Sequence, residues 1–150
     1  MSVKIDATAF KASILDLTID VAYAAVLAVK AAVEAAEASA KGTRLYTDGT
    51  GLLRQKTQGT TGSNFTGRLT ADTKYARFVE SGTKPHVIAA KGGGMLSFVA
   101  NGGRRFARTV NHPGTTARPF MAEAAVVGQV TLEYAAESFI SAAITRRVGG

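Results

Sequence analysis

Residues 8–40 restrict the fold most strongly, because their polarity repeats with the period of an α-helix. Six charged positions, Asp16, Asp20, Lys30, Glu34, Glu37 and Lys41, fall within an arc of roughly 100° at 3.6 residues per turn. The opposite face is apolar and consists of Phe10, Ile14, Leu17, Val21, Ala25, Ala28 and Ala32. Asp6 or Thr8 can cap the start of the helix, and Gly42 ends it. The sequence therefore predicts a long N-terminal helix.

The second half of this helix presents alanines where the first half presents large apolar residues. Alanine lets a neighbouring backbone approach closely, so this half is expected to pack tightly against the sheet or against another subunit. The alternative is a helix of high alanine propensity with only a thin core contact.

Size and composition indicate one globular domain over residues 1–150. Of these residues, 46% are apolar, which is enough for a real core. The chain has no cysteine, which excludes a disulfide framework, cysteine-ligated zinc and thiol catalysis. There is no signal-peptide pattern, and the apolar run over 21–33 is too short to cross a bilayer. We therefore expect a soluble protein without a membrane partner.

Turn-forming residues and short apolar runs alternate through the middle of the chain. Residues 42–64 are rich in Gly and Thr and predict a long flexible loop, with a turn or short strand around Leu52. Residues 65–72 alternate in polarity, which predicts a half-buried strand. A short helix over 73–81 follows and ends at Gly82. Its predicted core-facing residues are Tyr75, Phe78 and Val79.

The predicted elements combine into an α+β fold. Further strands are expected over 87–89, 95–100 and 105–110, and Asn101-Gly102 is a strong hairpin signal. Pro119 begins a last helix that runs to about residue 147 and is apolar on two sides, as in a central helix or an oligomer interface. The expected architecture is a long N-terminal helix, a small, mostly antiparallel sheet of about four strands with a short inserted helix, and a C-terminal helix packed on the sheet.

Both histidines lie in the middle region beside acidic and hydroxyl groups. His86, His112 and Glu80 are candidate ligands or catalytic groups, and Ser81 is a candidate nucleophile. None of them has the spacing of a known metal or hydrolase motif, and three candidates spread over loops fall short of a zinc or iron site. We expect no cofactor and no metal, and we interpret both histidines as residues that fix turns beside prolines. The glycine run after Lys91 lacks the ending of a phosphate-binding loop.

The net charge of +7 is compatible with a polyanionic neighbour. Five basic residues gather around the predicted sheet and its turns: Lys84, Lys91, Arg104, Arg105 and Arg108. Such a cluster can neutralise phosphates without sequence preference. The alternative is a solvated edge that resists aggregation between strands.

A longer motif runs through the same region. Its elements are Tyr75-Ala76, Val79-Glu80, Gly82-Thr83, Pro85-His86, Phe106, Val110, His112-Pro113-Gly114-Thr115, Ala117 and Pro119-Phe120. This pattern resembles the tail-completion proteins of long-tailed phages, also called head–tail joining, neck or tail-terminator proteins. The resemblance covers roughly residues 40–125. Gly51-Leu52-Leu53-Arg54 looks like the family's Gly-x-Leu-Arg turn, but no clear strand is predicted after it.

The resemblance implies a structural virion protein of the neck or tail, assembled in the host cytoplasm, and not an enzyme. Family members form a ring, usually a hexamer, at the head-proximal end of the tail tube. The ring ends tube growth, binds the head-closure or connector protein, and lets DNA pass through its centre without sequence recognition. The alternatives are a head-closure (stopper) ring protein, a non-specific DNA-binding module and a hydrolase that uses His86 or His112.

Within that interpretation the motif residues support the fold. Glu80 is expected to pair with Arg118 or to cap exposed amides, and the turn that begins at His112 should aim the last helix. Ring contacts are expected from the alanine face of the first helix, the last helix and the 42–64 loop. Residues Lys91, Arg104 and Arg105 are the candidates for a DNA-facing lumen.

Overall fold

The computed structural model describes residues 1–6 and 19–148, and the fold is α+β as predicted. The strands are β1 (Ser2–Asp6), β2 (Thr57–Gly62), β3 (Thr66–Ala71), β4 (His86–Ala89), β5 (Leu96–Ala100), β6 (Gly103–Ala107) and β7 (Thr109–His112). The helices are α1 (Ile19–Gly42), α2 (Leu52–Gln55), α3 (Ala76–Ser81) and α4 (Phe120–Val148). The strands form three small antiparallel sheets, ordered β1-β3-β2, β4-β7 and β5-β6.

The two long helices pack on each other and on the three-stranded sheet. The buried face of α1 consists almost entirely of small residues, and Ala25, Ala28 and Ala32 are fully buried. Small side chains let α1 lie close to α4, which resolves the two interpretations of the alanines in favour of tight packing within the subunit. The expected ring contact through this face is wrong, because α4 and the sheet already cover it. Asp6, one of the two candidate caps, is the last residue of β1. Thr8 and the large apolar residues predicted between 7 and 18 lie outside the described residues.

Large side chains fill the space between the helices and the sheet. The most deeply buried are Phe120, Leu53, Leu69, Met121 and Val29. The alternation predicted for β3 is confirmed, because Gly67, Leu69 and Ala71 are buried and the residues between them are not. Among the described residues, no helix combines the length and the apolarity needed to span a membrane.

The prediction of a flexible loop over 42–64, with a turn or short strand around Leu52, is wrong for its second half. Leu52–Gln55 forms α2, and Thr57–Gly62 forms β2, an edge strand paired with β3. The Thr57 hydroxyl is buried and donates to the Leu53 carbonyl oxygen at 2.7 Å, which joins the two elements. Because β2 has a polar sequence without apolar alternation, its strand character comes from the neighbouring strand and from α1.

One contact between α1 and β2 explains how this polar strand is held. Glu37 Oε2 accepts the backbone N–H of Gly59 at 2.8 Å, and Glu37 Oε1 accepts a short hydrogen bond from Lys41. Gly59 permits the close approach, since a Cβ there would lie 2.4 Å from Val33 Cγ1. The edge strand is therefore attached to the helix through a side chain 22 residues away in sequence.

Removing the Glu37 charge is expected to weaken this attachment in a pH-dependent way. The hydrogen bond from Lys41 lowers the pKa of Glu37 below 4.5, with a further contribution from the Gly59 N–H against the opposing effect of burial. A lowered folded-state pKa stabilises the protein above pH 4.5, and this stabilisation is lost as the pH falls through the folded-state value. Urea unfolding of Glu37→Gln should therefore show lower stability at pH 7 and a shallower loss in acid.

The matched control lies one turn earlier on the same helix. Glu34 pairs with Lys30 at 3.8 Å, and both side chains are exposed. Glu34→Gln should change the unfolding free energy by less than about 0.5 kcal/mol. Equal effects of the two substitutions would contradict a specific role for the contact with β2.

The remaining strands differ from the expected single sheet of about four. The predicted hairpin is confirmed as β5–β6, and its turn residues Asn101 and Gly102 both have positive φ, at 52° and 74°. Strand β1, which pairs along β3, is absent from the predicted elements.

In α3 only Ala76 is buried. Val79 packs partly against the core, whereas Tyr75 and Phe78 are exposed, so their expected burial is wrong.

Candidate functional site

Residues 77–119, which we call the arm, begin within α3, contain β4 to β7 and lead to α4. The structure describes every residue of the arm, and none of them is buried. Burial resumes on both sides, at Ala76 and Phe120. A two-stranded sheet without a packed face is at best marginally stable in water. The arm therefore has regular backbone pairing without a core of its own.

Large apolar side chains in the arm are exposed to solvent. Val99 is 75% exposed, Val87 is 63% exposed, and Met95 and Phe106 are similar. The register pairs Ser97 with Phe106 and Val99 with Arg104, so one face of the hairpin carries Val99, Phe106 and Arg104 together. Exposed apolar clusters of this kind mark contact surfaces.

Most of the excess charge of the protein is in the arm. Residues 77–119 contain seven bases and one acid, a formal net charge of +6 out of +7 for the whole chain. The three candidates for a DNA-facing lumen are in this region, and all three are exposed. Lys91 lies in the loop between β4 and β5, whereas Arg104 and Arg105 are consecutive residues of β6. Consecutive residues of a strand point to opposite faces, so the two arginines do not form one patch.

A groove of about 820 Å³ lies between the start of the arm and the loop before α2. Its apolar lining includes Tyr46, Tyr75, Phe78 and Ile88, and its basic residues are Lys84 and Arg118. The only acid in the lining, Asp48, accepts the Arg54 backbone N–H at 2.9 Å. The walls of the groove are thus apolar, and its charged side chains other than Asp48 are basic.

Tyr46 is a buried aromatic residue of the groove. Its side chain is only 6% exposed, and its ring packs edge-on against Phe120 at a centroid distance of 5.0 Å. Among the described residues its hydroxyl has no hydrogen-bond partner. Burial raises the pKa of the Tyr46 phenol, so the group is a protonated donor at neutral pH. A buried donor without an acceptor costs stability unless another molecule supplies one.

The two histidines face each other across β4 and β7. His86 and His112 are register partners with ring centroids 5.0 Å apart. His112 Nδ1 accepts the Gly114 N–H at 3.1 Å, and His86 Nδ1 lies 2.9 Å from the Lys84 carbonyl oxygen. The prediction that they fix turns is confirmed for His112, whose bond closes the turn containing Pro113.

The hydrogen bond at His112 fixes which of its ring nitrogens carries the proton when the ring is neutral. An acceptor role at Nδ1 places the ring proton of neutral His112 on Nε2, which leaves that nitrogen without a free lone pair. In the part of the chain that the structure describes, no group of three His, Asp or Glu side chains is arranged to hold a metal ion. In this geometry the two rings lie side by side across the paired strands.

Gly82 and Gly114 hold two chain segments in close contact. Thr83 and Thr115 exchange two backbone hydrogen bonds, each 3.0 Å long, and their hydroxyls lie 3.1 Å apart. A Cβ on Gly114 would lie 2.3 Å from the Thr83 carbonyl oxygen, and one on Gly82 would lie 2.4 Å from the Thr115 carbonyl oxygen. Pro85 follows this crossing and leads into β4. These motif glycines are therefore required by backbone packing.

Glu80 and Arg118 connect the end of α3 to the start of α4. Glu80 Oε2 accepts the Met121 N–H at 2.9 Å, and Glu80 Oε1 accepts the Ala122 N–H at 3.0 Å. In return, the Arg118 N–H donates to the Val79 carbonyl oxygen at 2.9 Å. Two roles are predicted for Glu80, pairing with Arg118 or capping of exposed amides, and the structure shows the capping. The contact also places Pro119, whose carbonyl accepts the Glu123 N–H at 3.0 Å, directly before the helix.

Replacing Glu80 is expected to destabilise the first turn of α4. Glu80→Ala removes two charge-assisted hydrogen bonds and a negative charge from a helix N-terminus, and should cost about 2–3 kcal/mol in unfolding free energy. Glu80→Gln keeps an acceptor oxygen and should lose about half as much. Urea unfolding at pH 7 measures both. Equal stability of wild type and Glu80→Ala would contradict the capping role.

Sequence reasoning identifies most residues around the groove but not the groove itself. The motif contains Tyr75, Gly82 and His86, whereas Tyr46 falls within a predicted loop. No local pattern links Tyr46 to the arm, because the two meet only through the fold. Comparison with protein-family models, curated proteins and solved structures finds no match for this chain. Its function is therefore inferred from its own residues and from the motif resemblance.

Proposed function

We propose that this protein is a virion structural protein that forms a closed ring at the head-proximal end of a phage tail tube. In that position it ends tube growth and joins the tail to the head connector. The observation that carries the proposal is the arm, a paired segment of 43 residues without a buried residue. Strands that expose Val87, Val99 and Phe106 gain a packed face when copies or other virion proteins cover them.

The role of the motif residues also supports an assembly protein. Glu80, Gly82 and Gly114 hold the two ends of the arm together where it leaves the helical core. This arrangement fixes the direction in which the arm projects and needs no reaction chemistry. It agrees with the resemblance of the same residues to tail-completion proteins.

Mass and shape test the proposal directly. Light scattering and electron microscopy of the purified chain should give a closed ring, with six copies as the resemblance implies. Incubation with the cognate tail tubes should place one ring at one end of each tube and stop further growth. A ring that binds the connector but not the tube would identify the head-closure alternative. A chain that stays monomeric at all concentrations, with and without tubes, contradicts the proposal.

The charge of the arm favours non-specific DNA binding as a second candidate function. A formal charge of +6 within residues 77–119 can neutralise several phosphates. A stand-alone DNA-binding module would be monomeric, with affinity for short duplexes that falls steeply as salt increases. In a ring, Arg104→Glu and Arg105→Glu should be made separately, because these residues lie on opposite faces. Only the face that lines the lumen should affect DNA passage or retention.

A further inference from the structure

The outward side of α4 carries a second apolar surface, which we call the outer stripe. It contains Val126, Val130 and Tyr134, spaced four residues apart, and Tyr134 is 76% exposed. Glu123, Glu133 and Glu137 lie within the same arc of about 100° on the helix. Residues 120–145 contain no base. The outer stripe is therefore both apolar and acidic.

The groove has the complementary character. Its apolar walls are bordered by Lys84 and Arg118, and the acid in its lining is already engaged by a backbone amide. An occupant that supplies apolar side chains and carboxylate oxygens would satisfy both features.

We propose that the groove of one copy receives the outer stripe of a second copy. This inference rests on the proposed ring, for which it names the contact between subunits. Valine and tyrosine side chains of the stripe cover the apolar walls, and its glutamates meet Lys84 and Arg118. Charge complementarity selects this occupant over the β5–β6 hairpin, whose arginines would meet the same basic rim.

The contact joins two different patches, so it is heterologous. In a pair, one copy still has a free groove and the other still has a free outer stripe. Association therefore continues from copy to copy until the rotation closes a ring. A contact between two identical patches would instead stop at a dimer.

Mixing two defective variants tests the contact. Ile88→Asp places a charge in the groove, and Val130→Asp places one in the outer stripe. Both positions are exposed in the subunit, so both variants should fold, which circular dichroism and thermal melting check. Each variant alone should lose the ring, with at least about tenfold weaker association. Mixed in equal amounts, they should form a heterodimer of twice the 15.6 kDa chain mass and nothing larger.

Matched controls separate this contact from general effects of charge. Gln58→Asp adds the same charge at an exposed position of β2, outside both the groove and the outer stripe, and should leave the ring intact. Ile88→Val keeps the groove apolar and should do the same.

Each other outcome contradicts the inference. If both aspartate variants keep the ring, or if only one of them loses it, another surface makes the contact and the proposed ring still stands. If both lose the ring and the mixture remains monomeric, the groove and the stripe do not meet each other. If the wild-type chain is itself monomeric, the proposed function fails together with the contact.

Discussion

Phe120→Ala is expected to lower the unfolding free energy by about 3–5 kcal/mol, a large fraction of the 5–15 kcal/mol typical of a domain. Phe120 is 1% exposed and begins α4, where its ring packs edge-on against Tyr46. Alanine would leave a cavity between the helices and the sheet, and its lining cannot collapse because Glu80 and the hydrogen bond from Arg118 to Val79 fix the start of α4. Urea unfolding at a fixed protein concentration measures the loss.

An exposed aromatic residue provides the control for this substitution. Tyr23 lies on α1 and is 63% exposed. Tyr23→Ala should change the unfolding free energy by no more than about 0.5 kcal/mol. If the two substitutions lowered the unfolding free energy equally, Phe120 would not contribute to the core.

The accuracy of the sequence prediction follows the strength of local patterns. Strand β3, the β5–β6 hairpin and α4 are predictable because alternating polarity, a turn dipeptide and helical periodicity are patterns of residues close together in sequence. Strand β2 escapes prediction because its sequence, Thr57–Gly62, has no alternation. Its order depends on β3 and on the distant carboxylate of Glu37. Tertiary contacts decide the structure where the local signal is weak.

The candidate site is predictable as a group of residues but not as a surface. The motif identifies Glu80 and Gly82, and the structure gives each a specific contact. The position of Tyr46 depends on packing and has no local signal. The acidic outer stripe can be predicted from the sequence, since the helical spacing of Glu133 and Glu137 places them beside the second apolar face. The signal that identifies this stripe is the periodicity of the charged residues combined with that of the apolar residues.

The basic cluster illustrates a different limit. Arg104 and Arg105 are adjacent in sequence, which suggests one patch, but a strand directs adjacent side chains to opposite faces. Their separation changes the expected experiment, because a double substitution would combine effects from two surfaces. Sequence proximity is therefore a poor guide to shared function within a strand.

Gly82→Ala is expected to remove at least about 3 kcal/mol of local stability from the arm. Gly82 ends α3 with φ 68° and ψ −175°, a conformation that other residues rarely adopt. The new Cβ would lie 2.4 Å from the Thr115 carbonyl oxygen and 2.7 Å from the Ala117 nitrogen. Both are backbone atoms, so relief requires the two segments to separate and the hydrogen bonds between Thr83 and Thr115 to break.

The measurement must report on the arm itself, because a segment without a core can open without global unfolding. Amide hydrogen exchange of Thr83 and Thr115 should be strongly accelerated in Gly82→Ala. Gly92→Ala is the matched control, since Gly92 has a similar φ of 62° but a Cβ added there would meet no atom within 4 Å. Gly92→Ala should lower stability only by the conformational penalty of about 1–2 kcal/mol. The amides of Thr83 and Thr115 should stay protected from hydrogen exchange. If the two variants exchanged alike, backbone conformation alone would explain the glycine, and the close crossing that directs the arm would have no energetic role.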